Sequence, residues 1–301
     1  MSAPTRLLVE QRFPLCLSPQ IAAIRSLYNE AKAARWNPVR DLAWADLRAD
    51  GLAPELCDAV RRCWSRRAWV EATALTETPA LLIRFCMETG RESDPKFFLA
   101  VRNTEEAWHI ECFDRVAEIF GGRVERPDQP AYEAVFNQGL YRRALDADQM
   151  LDSHVAVHAA FEDGLELELC RGWRAATTHP VLAAMLDRVI AARQRHAAFG
   201  WLYLQARAAR WSAAERAAIA DAIVRHVQQV ELAGYHCPWL APEHAAAEVA
   251  ADRLTAVAGL GGATPEAEAA ILAAYVADAR ARLRELGVTL PRFETNRLRT
   301  F

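Results

Sequence analysis

The sequence predicts an all-α protein organised as a four-helix bundle with one crossover connection and further helices at both ends. Three observations carry that expectation. Alanine is abundant and strand-like alternation is scarce. Long segments repeat their apolar residues at helical spacing. Four of those segments are the longest, and the longer connection falls between the second and third of them, as in a crossover bundle.

Taken in order, residues 18–60 hold short helices, SPQIAAIRSLYNEAKAARW among them, before a long helix from about 54 to 88. Pro79 lies inside that helix and is expected to kink it near Leu75, whose carbonyl the ring crowds. Thr89-Gly90 closes it. A second long helix follows the turn RESDP and ends at Phe120, before Gly121-Gly122. The polar stretch GRVERPDQPAYEAVFNQGLYRRALDADQ reads as the crossover. The third long helix spans about Asp148 to Arg174, and Thr177-Thr178-His179-Pro180 starts a fourth, about 180–207. Ser212-Ala-Ala-Glu215 has capping-box spacing and opens a fifth, and Thr264-Pro-Glu opens a last one, to Leu286-Gly287. With no repeat and no linker, one domain over 1–301 is expected, its core bundle at about 60–205 and accessory helices at 18–60 and 212–287.

Composition excludes several classes. The net charge of −3 offers no basic surface for nucleic acid or an anionic membrane, and no apolar run of eighteen residues marks a membrane span. The first residues make a poor signal peptide. Seven scattered cysteines, none in a CxxC pair, read as reduced thiols of a cytoplasmic protein.

Ionisable residues on apolar helix faces must be paired, hydrogen-bonded or metal-bound. In the first long helix Glu71 sits within the stripe Trp64, Ala68, Leu75, Thr78, Leu82 and Phe85. Glu77 shares a face with Arg66, Arg67 and Arg84 and is expected to be solvated. In the second, Glu106 and His109 form a Glu-x-x-His pair among Phe98, Leu99, Ile110, Phe113 and Val116. In the third, His158 and Glu162 lie four apart on one side, and in the fourth Arg193 and His196 lie among Leu182, Leu186, Val189 and Gly200. Each alone has a plain structural explanation: a satisfied core histidine, or a polar helix face. Four helices sharing the feature are harder to explain that way.

The order Glu71, Glu106-x-x-His109, Glu162, x-x-x-His196, with EEAWHIECF, FEDGLELELCRGW and RHAAFGW around the last three, resembles the ferritin-like di-iron carboxylate proteins. Bacterial ferritin-like oxygenases of the arylamine N-oxygenase type are similar in size. The resemblance covers about residues 60–205 and implies a ferritin-like bundle. It also implies Glu71 and His109 on a first metal, Glu106 bridging, and Glu162 with His196 on a second. The pattern's fourth glutamate falls on Arg193, which presents only donors and cannot ligate a metal. Four carboxylates balance two divalent cations, whereas three and a guanidinium balance one.

Three arrangements follow: one metal on Glu71, Glu106 and His109; two metals, with His158 as a replacement ligand; or a metal-free site in which Arg193 pairs with Glu162 or Glu106. The resemblance implies an Fe centre, Mn being the other candidate, that activates O2 for hydroxylation or N-oxygenation of a small organic substrate. Arg193 would then anchor an anionic group of that substrate or polarise dioxygen. An external electron donor and pairing into homodimers are further expectations. The competing reading is a metal-free protein whose arginine–carboxylate pocket binds a small molecule or performs non-redox chemistry. Trp108, Phe113, Phe161 and Trp201 are expected around the site, and no tyrosine lies on its faces.

Overall fold

The computed structural model describes residues 17–88, 92–136 and 145–301. Within them, α1 is Ala22–Ala33, α2 Pro54–Met87, α3 Asp94–Ile119 and α4 Pro130–Phe136. Helix α5 is composite, running from α-helical Leu151–His154 through a π-helical stretch, Val155–Glu162, into α-helical Asp163–Ala175. Then come α6 Pro180–Arg207, α7 Ala213–Gln229, α8 Pro242–Val257 and α9 Pro265–Glu285. The closing Thr89-Gly90 lies outside the described residues, as do residues 137–144 of the crossover.

The local signals act as chemistry requires. Pro54, Pro180, Pro242 and Pro265 occupy first-turn positions, where a missing N–H costs nothing. Ser212 and Glu215 complete their capping box, and Thr264 accepts a hydrogen bond from the Ala267 amide. Gly121 and Gly122, both at positive φ, stop α3.

Helices α2 and α3 pack as one pair, α5 and α6 as another, and these four form the bundle, with α3 also against α6. The core seam runs through fully buried Trp64, Phe85, Phe98, Phe113, Phe161 and Phe199, with Phe98 stacked on Phe199 at 5.0 Å. Helix α6 meets the π-helical stretch at Gly200, where a Cβ would lie 1.9 Å from the Ala159 carbonyl oxygen. Only glycine allows that approach. Accessory helices cover the bundle: α1 lies on α3 and α6, α8 on α2, α9 on the second half of α5, and α7 on its first half.

That cover corrects two expectations. Leu75 is exposed, because the buried stripe of α2 turns toward Arg66, Val70 and Glu77, under α8 and the segment before it. Arg66, Arg67 and Arg84 are buried rather than solvated. They donate to main-chain carbonyls of Tyr235 (2.9 Å), Gly261 (2.7 Å) and Asp146, respectively. Helix α8, Pro242–Val257, is an element the sequence reading does not anticipate. The described cysteines are all free thiols.

Candidate functional site

The buried polar residues of the bundle fall into three joined groups. In the first, two arginines fill the centre that the di-metal pattern would occupy. Arg193 of α6 bridges Glu71 of α2 and Glu166 of α5. Arg102, one turn before Glu106 on α3, lies 2.8 Å from Glu106 and 2.6 Å from Asp163. Thr78 donates to Glu106 at 3.0 Å, and His109 Nδ1 lies 2.8 Å from Glu71.

Electrostatics follow from these contacts. Burial pushes the Glu71 carboxyl up, but Arg193 and His109 outweigh it and hold it at about 2. Burial, aided by the Glu71 and Asp163 charges, raises Glu106 to about 8 against the pull of Arg102.

In the second group, His196 Nε2 lies 2.9 Å from Glu105, which Arg195 also contacts. Burial drives His196 down to about 3, against the pull of Glu105, so the imidazole is neutral near pH 7. The His109 and His196 rings lie 5.9 Å apart.

The third group is built around the π-helical stretch, a kind of winding often found at functional sites. It places His158 Nδ1 2.8 Å from Glu162 Oε2. Helix α7 adds His226, whose Nε2 lies 3.8 Å from the same oxygen. Donor atoms of His158, Glu162 and His226 all lie within 4.8 Å of one another, and all three residues are buried. Glu77 stands 3.9 Å from His158, and Glu231 stands 3.0 Å from His226. Burial raises Glu162, but His226 and His158 outweigh it and lower its pKa. Burial and the Glu162 charge raise Glu77 well above the usual carboxylate range. His236 touches Glu231 at 2.8 Å and Glu166 at 3.2 Å, which joins this group to the arginine-filled centre.

The structure thus divides the sequence-predicted residues. Glu71 and His109 are in contact. Glu162 and His196 do not share a site, since Glu162 pairs with His158 and His226 while His196 pairs with Glu105. Arg193 pairs with Glu71 and Glu166 rather than Glu162 or Glu106. It is buried and held by two carboxylates.

Two metals do not fit the pattern positions. Both Glu71 oxygens are engaged, and two guanidiniums stand among the donors. A unit-charge pair 4 Å apart costs about 4 kcal/mol at an effective dielectric of 20, and a divalent ion doubles that. The set His158, Glu162 and His226 has no such obstacle and suits one ion: two imidazoles and a carboxylate.

Several residues of the site escape the sequence reading. Arg102 lies on the Phe98–Leu99 stripe and His226 on the Ile219–Ile223–Val227 face, so the same apolar-face test applied to every helix finds both. Glu231 lies in a short 3-10 turn and His236 in the loop after it, where no periodicity marks them. Buried Tyr235 stacks edge-on against His236 at 4.5 Å, so a tyrosine does stand beside the site. Trp108 packs on Trp36 and Trp201 beneath Arg282, both away from these groups, whereas Phe161 contacts His226.

A cavity of about 240 Å³ opens beside the third group, lined by Gln149, Ser153, His154, His158, Arg225 and His226 among others. Among the described residues, no helix is long and apolar enough to cross a membrane.

No family model matches the chain, and no curated protein matches it. Solved structures do. An R2-like ligand-binding oxidase variant with an aerobically reconstituted Mn/Fe cofactor superposes with a TM-score of 0.63 at 16% identity, covering 90% of this chain and 99% of that one. Another variant, with an anaerobically reconstituted Mn/Fe cofactor, gives 0.64 at 17%, covering 87% and 92%. A third, with an Fe/Fe cofactor, gives 0.63 at 17%, again covering 87% and 92%. At such identities the likeness establishes architecture: this chain has the ferritin-like fold of the R2-like ligand-binding oxidases.

Proposed function

We propose that the protein is a metal-dependent oxidoreductase that uses O2 to oxidise a small organic substrate. One observation carries the reading: five buried histidines and their partner carboxylates converge inside the bundle. Burying ionisable groups is costly, and an apolar core serves stability as well or better. Such a concentration is the signature of a functional interior. Similar structures that carry Mn/Fe or Fe/Fe cofactors support Fe, with Mn as the other candidate.

A bound Fe or Mn ion would supply the one-electron chemistry by which O2 reacts with organic compounds. The chain's own residues do the rest. The cavity beside His158 and His226 admits a small molecule, and Arg225 on its wall gives an anionic group a partner. Phe161, against His226, shields one side from water. Glu231, between His226 and His236, holds both imidazoles in place. Reduction of the centre between turnovers calls for an external electron donor, and assembly as a homodimer belongs to the same proposal. Whether the substrate gains a hydroxyl, an N-oxide or a double bond depends on what the cavity seats.

The test is metal analysis of protein loaded anaerobically with Fe(II) or Mn(II), then O2 uptake with a reductant and a panel of small organic acids and amines. Metal retention with reductant-dependent O2 uptake is the expected outcome. Folded protein that retains no metal refutes the reading and returns the bundle to an arginine–carboxylate binding pocket.

A further inference from the structure

We propose that the metal of this protein sits on His158, Glu162 and His226, as a mononuclear centre displaced from the di-metal position of the ferritin-like pattern. The inference rests on the metal-dependent reading above and deepens it.

Three independent features point to this place. First, the donors are right in kind and already gathered: two imidazole nitrogens and one carboxylate oxygen within 4.8 Å of one another, from α5 and α7. Two histidines and a carboxylate are the donor set of mononuclear non-haem Fe(II) sites, and the same set accepts Mn(II). Second, the charge is right. Glu231, in contact with His226, adds negative charge at the edge of the cluster. At the pattern position, Arg102 and Arg193 add positive charge instead. Third, the place is reachable. His158 and His226 both line the 240 Å³ cavity, so an ion between them lies next to the space a substrate would enter.

The π-helical stretch supplies the local cause, because it carries His158 and Glu162 together and is pressed against α6 at Gly200. His226 Nε2 faces Glu231 at 3.0 Å, and an ion taken by that nitrogen needs its lone pair, so the neutral imidazole then carries its proton on Nδ1. Glu231 then faces the ion's charge, and its bond to His236 Nδ1 at 2.8 Å keeps it oriented.

The rival position has its own unpartnered donors. His109 Nε2 and Glu106 Oε2 make no hydrogen bond. The two assignments therefore differ in which histidines hold the metal, and substitution separates them.

The experiment loads the full chain with Co(II), Mn(II) or Fe(II) without oxygen. It counts ions per chain after desalting and reads the Co(II) visible spectrum as a report on coordination. The wild type is expected to hold one ion. His226→Gln, His158→Gln and Glu162→Gln each weaken binding by at least about 100-fold, more than loss of an outer-shell partner does, and abolish the Co(II) band. His109→Gln and His196→Gln leave both stoichiometry and band unchanged. Circular dichroism confirms that each variant is folded, and Glu162→Gln, nearly isosteric, carries the test if a histidine variant is not. Loss of the ion in His109→Gln with retention in Glu162→Gln moves the metal to the pattern position and overturns the inference, while metal dependence stands. Two ions in the wild type also overturn it. No ion in folded wild type removes the metal-dependent reading itself.

Discussion

Replacing Arg193 by methionine keeps the stem but removes the charge that bridges Glu71 and Glu166. Both arginine and Glu71 are nearly inaccessible to solvent, so water cannot take the guanidinium's place. Removing one partner of a buried ion pair costs about 3–5 kcal/mol. The Glu71 carboxyl gives a second route to the magnitude. Holding it at about 2 rather than the usual 4.5 contributes roughly 3 kcal/mol at neutral pH, an order-of-magnitude figure shared between Arg193 and His109.

At roughly 2.1 cal/mol/K of unfolding entropy per residue, a chain of 301 residues loses about 5–8 °C of Tm for 3–5 kcal/mol. The pH dependence carries the sign. Glu71 is depressed in the folded state, so its contribution is complete above about 4.5 and is lost as pH falls toward about 2. The gap between wild type and Arg193→Met is therefore widest near pH 7 and narrows below about 4.5. The assay is thermal unfolding of metal-free protein at pH 7, 5 and 4. A variant within about 1 °C of wild type at pH 7, or a gap that grows on acidification, would refute the argument that Arg193 neutralises this centre.

Gly200→Ala forces a methyl into the Ala159 carbonyl, a backbone group that cannot turn aside. A loss of about 1–3 kcal/mol is expected in thermal melts, with the π-helical stretch disturbed first. Asp152 accepts from Tyr203 (2.9 Å), Trp211 (2.7 Å) and Arg207 (3.2 Å). Asp152→Asn leaves one of those donors without an acceptor and should cost about 1–3 kcal/mol by urea titration. Ser212→Ala removes one half of a complete capping box and should cost about 1 kcal/mol, seen as faster amide exchange in the first turn of α7.

Most of the fold was legible along the chain, because helix boundaries are local chemistry. Proline at first-turn positions, the Ser212–Glu215 box, Thr264 and Gly121-Gly122 lie where the observed helices begin and end. Helix α8 was harder to see. It starts on Pro242, keeps a non-helical residue at Ala245 and has no side-chain cap at its start. The π-helical winding of Val155–Glu162 also leaves no mark in a 3.6-residue pattern, which matches both windings over so short a stretch.

The sequence by itself determined that ionisable residues would be buried on the faces of four long helices, and that Arg193 would break a carboxylate pattern there. Those are properties of spacing within one helix. The tertiary structure alone decided which of them meet. Glu77 shares a face with three arginines, and the C-terminal segments enclose that face by supplying carbonyls for Arg66 and Arg67. Arg102 was visible on its stripe, but its choice of Glu106 and Asp163 depends on the approach of α5. Glu162 turned from its expected partner His196 to His226, 64 positions along the chain, because α7 covers the first half of α5. The separation is physical. A helix fixes the direction of each side chain about its own axis, but the partner on the far side of a contact is set by packing between helices.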